Sequence, residues 1–69
     1  MTVEKSIDLT ATGASIEDAV ASAIHRASLT LKGLTGFEVE RIEGVVENGD
    51  VVYRVLVRVS FQIKEQVHE

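Results

Sequence analysis

Alternating apolar and polar positions predict β-strands in three parts of the chain. At positions 3–10 the apolar residues Val3, Ile7 and Leu9 share one face, and Lys5 breaks the alternation. Positions 37–47 form a second, less regular candidate strand. Positions 51–64 alternate throughout, and one face carries Val51, Tyr53, Val55, Val57, Val59, Phe61 and Ile63.

A different spacing lies between the first two strands and predicts a helix. The apolar residues recur every three or four positions, at Ile16, Ala19, Val20, Ala23, Ile24, Ala27, Leu31 and Leu34. The segment follows a predicted loop at 11–14 and opens with Ser15 and Asp18, which fit a capping box. Gly33 and Gly36 offer left-handed conformations that end helices. We predict a helix over 16–33, about 27 Å long at 1.5 Å per residue.

The second and third strands are predicted to form a hairpin with one irregularity. Asn48-Gly49 is the preferred pair for a two-residue type I′ turn. A regular ladder from this turn would place Val39 opposite Arg58, and thus an apolar side chain on the polar face. One extra residue near Arg41 restores the apolar phase, so we predict a β-bulge there.

The order of elements predicts an α+β fold with a single domain over residues 1–69. It is β-α-β-β, with one helix packed on a three-stranded antiparallel (mixed) sheet. A right-handed crossover makes the first two strands parallel, and the apolar third strand belongs in the middle. That strand spans about 46 Å at 3.3 Å per residue, which exceeds the helix. Further copies of the chain are therefore expected to cover the excess, and we predict a homo-oligomer.

Composition removes several classes of function. The 69 residues include 11 acidic and 7 basic side chains and no cysteine, giving a net charge of −4. No basic cluster suits nucleic acid, and no apolar run approaches the roughly 20 residues that span a membrane. The first residues lack the pattern of a signal peptide, so a cytoplasmic location is expected.

No catalytic motif is present, and we expect no enzymatic activity. The chain lacks G-x-S-x-G and H-E-x-x-H, and its serines fall in predicted caps or strands. His25 lies on the helix surface without a partner histidine, and His68 lies in a polar tail.

Charged residues of the two hairpin strands leave two interpretations open. Arg54 and Arg58 share a face and suit either an anion pocket or cross-strand ion pairs. Scattered acids usually form a solvated face, and they would bind a hard cation only where several copies converge on a symmetry axis. These acids are Glu38, Glu40, Glu43, Glu47 and Asp50.

Two stretches resemble the dodecin family. The stretch Phe37-Glu38-Val39 is similar to the family's F-E-V opening of the second strand, and residues 53–61 are similar to its Y/F-x-V-x-V-x-V-x-F third strand. The resemblance covers nearly the whole chain. It implies a hollow homododecamer that binds flavins, such as FMN or riboflavin, in symmetric pockets between subunits. Such a protein stores its ligand and is not an enzyme.

The sequence departs from the family at two positions that matter for flavin. Flavin-binding members carry a Trp immediately before F-E-V that stacks on the flavin ring, and Gly36 stands there. They also carry a Gln after the third-strand aromatic, where this chain has Arg54. Stacking of a nucleic-acid base on an aromatic side chain contributes about 1–3 kcal/mol per ring. Because this chain lacks the Trp, we expect its flavin binding to be weak. The candidate cofactor-binding residues are Thr35, Gly36, Phe37, Arg41 and Arg54.

Two other functions stay open at this point. One is a flavin-free shell of the same kind, with a structural role or with ions at its symmetry axes. The other is a small dimeric adaptor that binds a protein through its sheet edge.

Overall fold

The computed structural model describes residues 2–64, which form four elements. These are β1 (Thr2–Gly13), α1 (Ile16–Thr30), β2 (Leu34–Glu47) and β3 (Asp50–Lys64). The strand order is β1-β3-β2, and β3 is antiparallel to both neighbours. β1 and β2 therefore run in the same direction, which confirms the predicted α+β fold with its apolar third strand in the centre. The predicted polar tail with His68 lies outside the described residues.

The N-terminus of α1 confirms the predicted cap. The Ser15 backbone is extended, and its side chain accepts a hydrogen bond from the Asp18 N–H at 3.0 Å. Glu17 and Asp18 lie in the first turn, where negative charge suits the positive end of the helix dipole.

Three predicted boundaries were wrong, and one of them is the start of the second strand, which lies at Leu34 and not at residue 37. The segment at 11–14 is not a loop, because β1 continues to Gly13, which pairs with Tyr53. The helix ends at Thr30, because Leu31 turns extended (φ −116°) and donates its N–H to the Ala27 carbonyl at 2.9 Å. Apolar residues continue at helical spacing beyond this point, so their pattern gave no sign of the stop.

The two glycines proposed as helix stops behave differently. Gly33 has φ 76°, and its carbonyl accepts from the Gln62 N–H at 3.0 Å. Gly33 thus turns the chain into β2. Gly36 has no left-handed φ and lies within β2 opposite Ser60, so its predicted role as a stop was wrong.

The hairpin confirms both the turn and the bulge. Asn48 and Gly49 have φ values of 51° and 82°, as a type I′ turn requires. The register shifts between Val39 and Arg41, so Val39 lies opposite Val57 and keeps its apolar phase. A second shift, which the sequence did not predict, lies between Leu34 and Gly36.

The core lies between three alanines of α1 and the central strand. Ala19, Ala23 and Ala27 are buried against Val55, Val57 and Val59, and none of the six is more than 2% exposed. Alanine side chains let the helix backbone approach the sheet closely. The partly buried residues around this cluster are Ile7, Leu9, Ala11, Val20, Ile24, Leu31, Leu34 and Val39.

The helix leaves part of the apolar sheet face uncovered. Phe37, Ile42, Val46 and Val51 lie on the helix side of the sheet yet are 54%, 51%, 74% and 53% exposed. We call these four residues the uncovered face.

The chain is also long and thin, with extents of 62 × 19 × 13 Å. Its radius of gyration of 15.2 Å exceeds the value of about 11 Å for a compact domain of this length. Its accessible surface of 5246 Å² exceeds the value of about 4,200 Å² for a monomer of this mass.

Candidate ligand-binding site

The sheet face turned away from α1 is polar and is organised around Arg58. Its Nε donates to Asp8 Oδ1 at 3.0 Å, and its Nη2 donates to Asp8 Oδ2 at 3.4 Å. On the other side, Arg58 Nη1 lies 3.1 Å from Glu40 Oε1. Arg58 therefore ties β3 to both outer strands, and the ion-pair interpretation of this residue is confirmed.

The carboxylates around Arg58 stabilise its charge. The hydrogen bond to Asp8, followed by the charge of Asp8, raises the pKa of Arg58 above its usual value. The charges of Glu40 and Glu38 act in the same direction, and desolvation opposes them. Arg58 has its donors engaged by protein carboxylates, so it is a poor candidate for holding a ligand.

The regular part of the hairpin brings Arg41 and Arg54 to the same carboxylate, because Glu43 pairs with Arg54 and shares a strand face with Arg41. Arg41 Nη2 lies 3.0 Å from Glu43 Oε2, and Arg54 Nη1 lies 3.9 Å from Glu43 Oε1. The second distance exceeds hydrogen-bonding range, and the Arg54 side chain is half-exposed. Arg54 therefore keeps donors available for a ligand.

The other three predicted site residues lie at the opposite end of β2. Thr35 is the extra residue of the second register shift, and its hydroxyl donates to Glu4 Oε2 at 3.4 Å. Gly36 follows it in the strand, and a Cβ built there meets no heavy atom within 4 Å. Phe37 pairs with Val59 and points to the helix side, as part of the uncovered face.

A single chain does not bring the two groups together. Gly36 pairs with Ser60, six positions along β3 from Arg54, which corresponds to about 20 Å at 3.3 Å per residue. Within one subunit the predicted site residues therefore fall into two separate groups. Arg41 and Arg54 form one, and Thr35, Gly36 and Phe37 form the other, divided between the two sheet faces.

The acidic residues of the hairpin do not form a metal site within one subunit. Among residues 2–64, no three His, Asp or Glu side chains are grouped as metal ligands. Glu40 and Glu43 are already paired with arginines, and His25 is exposed on α1. No helix in the described part of the chain is long and apolar enough to span a membrane.

Two polar features were missed from the sequence. One is the pairing of Asp8 with Arg58, which an alignment of Ile7 and Leu9 with Val59 and Val57 would have revealed. The other is a cleft of about 300 Å³ between α1 and β1, lined by Leu9, Thr10, Ala11, Thr12, Ser22, Ala23 and Arg26. None of the five predicted site residues lines this cleft.

Comparison with known proteins identifies relatives of this chain. The Dodecin family model matches residues 3–64. A dodecin of Thermus thermophilus is 37% identical over 65 residues, which cover 91% of this chain and 94% of that protein.

Solved structures agree along almost the full length. A Thermus thermophilus protein superposes with a TM-score of 0.88 at 34% identity, covering 96% of this chain and 100% of the other. A Mycobacterium tuberculosis protein, described as a calcium dodecin with a novel calcium-binding site, superposes with a TM-score of 0.80 at 29% identity. The superposition covers 97% of this chain and 99% of that protein. With a family match along nearly the whole chain and a shared fold, the chain belongs to the dodecin family.

Proposed function

We propose that the chain assembles into a homododecamer that sequesters a flavin, FMN or riboflavin, without transforming it. The observation that carries this proposal is the uncovered face. Its four apolar side chains lie on the same sheet face as the buried core valines, yet they are exposed because α1 does not cover them. The hydrophobic core of one subunit is therefore incomplete, and other copies of the chain cover its exposed apolar side chains.

Element lengths support the same conclusion. α1 has 15 residues and spans about 22 Å. β3 also has 15 residues but spans about 50 Å. The two ends of the hairpin therefore extend beyond the subunit's own helix, where they can contact neighbours.

The ligand pocket is proposed to lie between copies. Gly36 and Arg54 are about 20 Å apart along one sheet, too far to hold one flavin ring together. An assembly that places the Gly36 end of one copy beside the Arg54 end of another would join them. This arrangement is what a pocket between subunits requires.

Flavin affinity is proposed to be weak. Apart from the chain neighbours of Gly36, no heavy atom of the described residues lies within 4 Å of the position that a side chain would take there, so the subunit offers no stacking partner in place of the missing indole. Arg54 offers a guanidinium, which can donate to ring carbonyls or stack on the ring. That interaction replaces part of what an indole would contribute.

Two measurements test the proposal on the same sample. Light scattering after size exclusion should give a mass near twelve times the 7.5 kDa chain. Titration of FMN and of riboflavin should then quench flavin fluorescence with a saturating curve. A stable monomer or dimer at micromolar concentration would contradict the assembly, and unquenched flavin with an intact dodecamer would contradict only the ligand.

A flavin-free shell with a structural or ion-binding role is the second candidate. The open position at Gly36 favours it, and the calcium-binding relative shows that this fold accommodates an ion in another protein. Metal analysis of the purified dodecamer separates the two candidates. Calcium that survives dialysis, together with no flavin quenching, would favour the second.

A further inference from the structure

The cleft between α1 and β1 contains an arginine that the rest of the fold does not use. Arg41, Arg54 and Arg58 each lie within 4 Å of a carboxylate. Arg26 forms no ion pair with any carboxylate of residues 2–64, and it lines the cleft. Lys5 and Lys32 also form no ion pair among the described residues, so what sets Arg26 apart is its position in the lining of a cleft, and this position points to a ligand.

The rest of the lining combines hydrogen-bond donors with an apolar floor. Ser22 supplies a hydroxyl from the helix, whereas Thr10 and Thr12 pair with Leu56 and Arg54, so their hydroxyls belong to the opposite sheet face. Leu9, Ala11 and Ala23 supply apolar surface. A small number of polar groups above an apolar floor is the usual composition of a small-molecule site.

The sheet edge adds a second kind of donor. β1 is an outer strand, and within the described chain no strand pairs with its outer edge. Alternate residues of such an edge present unpaired backbone N–H groups. Because the cleft follows β1 through residues 9–12, these groups are available beside the Ser22 hydroxyl.

We propose that this cleft binds the phosphate monoester group of a small organic molecule. A phosphate monoester carries nearly two negative charges at neutral pH and three acceptor oxygens. It therefore matches one guanidinium and several hydroxyl or N–H donors better than a carboxylate, which has two oxygens. A volume of about 300 Å³ is at the small end for ligand sites and accommodates the phosphate with a few carbon atoms. A polyanion such as nucleic acid needs clustered cations, and Arg26 is the one cation in the lining.

Equilibrium dialysis of the assembled protein tests the proposal, with glycerol 3-phosphate and inorganic phosphate as probes at constant ionic strength. Wild type should bind glycerol 3-phosphate saturably, at about one per chain. Arg26→Ala should weaken binding at least tenfold, because bidentate contacts to the phosphate are lost. Lys32→Ala removes the same charge from a residue that does not line the cleft, so its affinity should stay within twofold of wild type.

Two further comparisons make the assignment specific. Ser22→Ala keeps the helix and removes one hydroxyl, so it should weaken binding severalfold. Glycerol 3-phosphate should bind severalfold more tightly than inorganic phosphate, because its carbon atoms contact the apolar floor. Absent or non-saturating binding by wild type, equal losses in Arg26→Ala and Lys32→Ala, or equal affinity for the two probes would each overturn the proposal. Riboflavin carries no phosphate, so failure here is distinguishable from failure of the flavin proposal.

Discussion

Arg58 of β3 holds the carboxylate of Asp8 on β1 with two hydrogen bonds, of 3.0 and 3.4 Å. The two residues are direct cross-strand partners, and their neighbours on the opposite face are the core pairs of Ile7 with Val59 and Leu9 with Val57. A shift of β1 by one residue would expose these apolar side chains and separate the two charges. Both faces therefore specify the same register.

We expect the coupling between Asp8 and Arg58 to be favourable but small, since both side chains are half-exposed. A double-mutant cycle with Asp8→Asn and Arg58→Gln, followed by urea unfolding, measures the coupling free energy. It should decrease as salt concentration rises, because the charges are screened by solvent ions. A coupling that is zero at low salt would contradict the geometry.

The raised pKa of Arg58 predicts how this stabilisation depends on alkaline pH. A cation whose pKa is higher in the folded than in the unfolded state stabilises the fold fully below the unfolded pKa. The contribution is lost only as pH rises through the folded value. Since arginine loses its charge only at strongly alkaline pH, the Arg58→Gln variant and wild type should show a constant stability difference from neutral to mildly alkaline pH. A difference that disappears in this range would argue against the assignment.

The sequence predicted the features that depend on apolar phase. The bulge followed from a conflict between the phases of Val39 and Ile42, and the turn followed from Asn48-Gly49. The end of α1 was missed because Leu31 continues the helical spacing although it packs beside the core from an extended backbone. A hydrophobic pattern shows which residues are buried, and Leu31 is partly buried without being helical.

The candidate site was harder to predict for a different reason. Arg41 and Arg54 meet at Glu43 because Glu43 pairs with Arg54 and shares a strand face with Arg41, and that proximity followed from the register set by the turn. Gly36 and Arg54 lie on separate parts of the sheet, and their relation depends on how copies are arranged. Strand alternation within one chain contains no information about that arrangement.

The core valines and the uncovered face should respond differently to the same truncation. Val57→Ala removes atoms from a fully buried side chain, so it should reduce the free energy of unfolding by about 2 kcal/mol per chain. Val46→Ala removes the same atoms from a side chain that is 74% exposed in the subunit. Any loss in Val46→Ala should depend on protein concentration, because it acts through assembly. Denaturant unfolding at two concentrations checks both statements, and a concentration-independent loss of similar size in the two variants would contradict them.

A charge on the uncovered face should prevent assembly. Val46→Lys places an ammonium where another copy is expected to pack, and burying an unpaired charge is strongly unfavourable. The species of high mass should therefore be lost in light scattering. Glu47→Lys is the matched control, because the neighbouring side chain points to the polar face of the same strand. If both variants keep the mass of wild type, the uncovered face is not an interface.

Gly13 should tolerate no side chain. A Cβ at Gly13 would lie 2.7 Å from the backbone nitrogen of Ala19 at the start of α1, so the helix would have to move away from the sheet. Gly13→Ala should lower the melting temperature clearly. Gly36→Ala adds the same methyl group on the polar face, where no heavy atom of the described residues other than its chain neighbours lies within 4 Å, and should change stability little. Thermal unfolding of the pair, followed by circular dichroism, provides the comparison, and equal melting temperatures would refute the close contact.

An indole at position 36 should strengthen flavin binding. The open space at Gly36 accommodates Trp without displacing the subunit's own atoms, and base–aromatic stacking of about 1–3 kcal/mol corresponds to roughly 5- to 150-fold in affinity. Riboflavin fluorescence quenching should therefore shift to lower protein concentration in Gly36→Trp. Glu47→Trp is the control, because it adds the same ring on the polar face of β2, at the end of the strand away from Gly36 and outside the uncovered face. Equal quenching curves for the two Trp variants would mean that position 36 does not border the pocket.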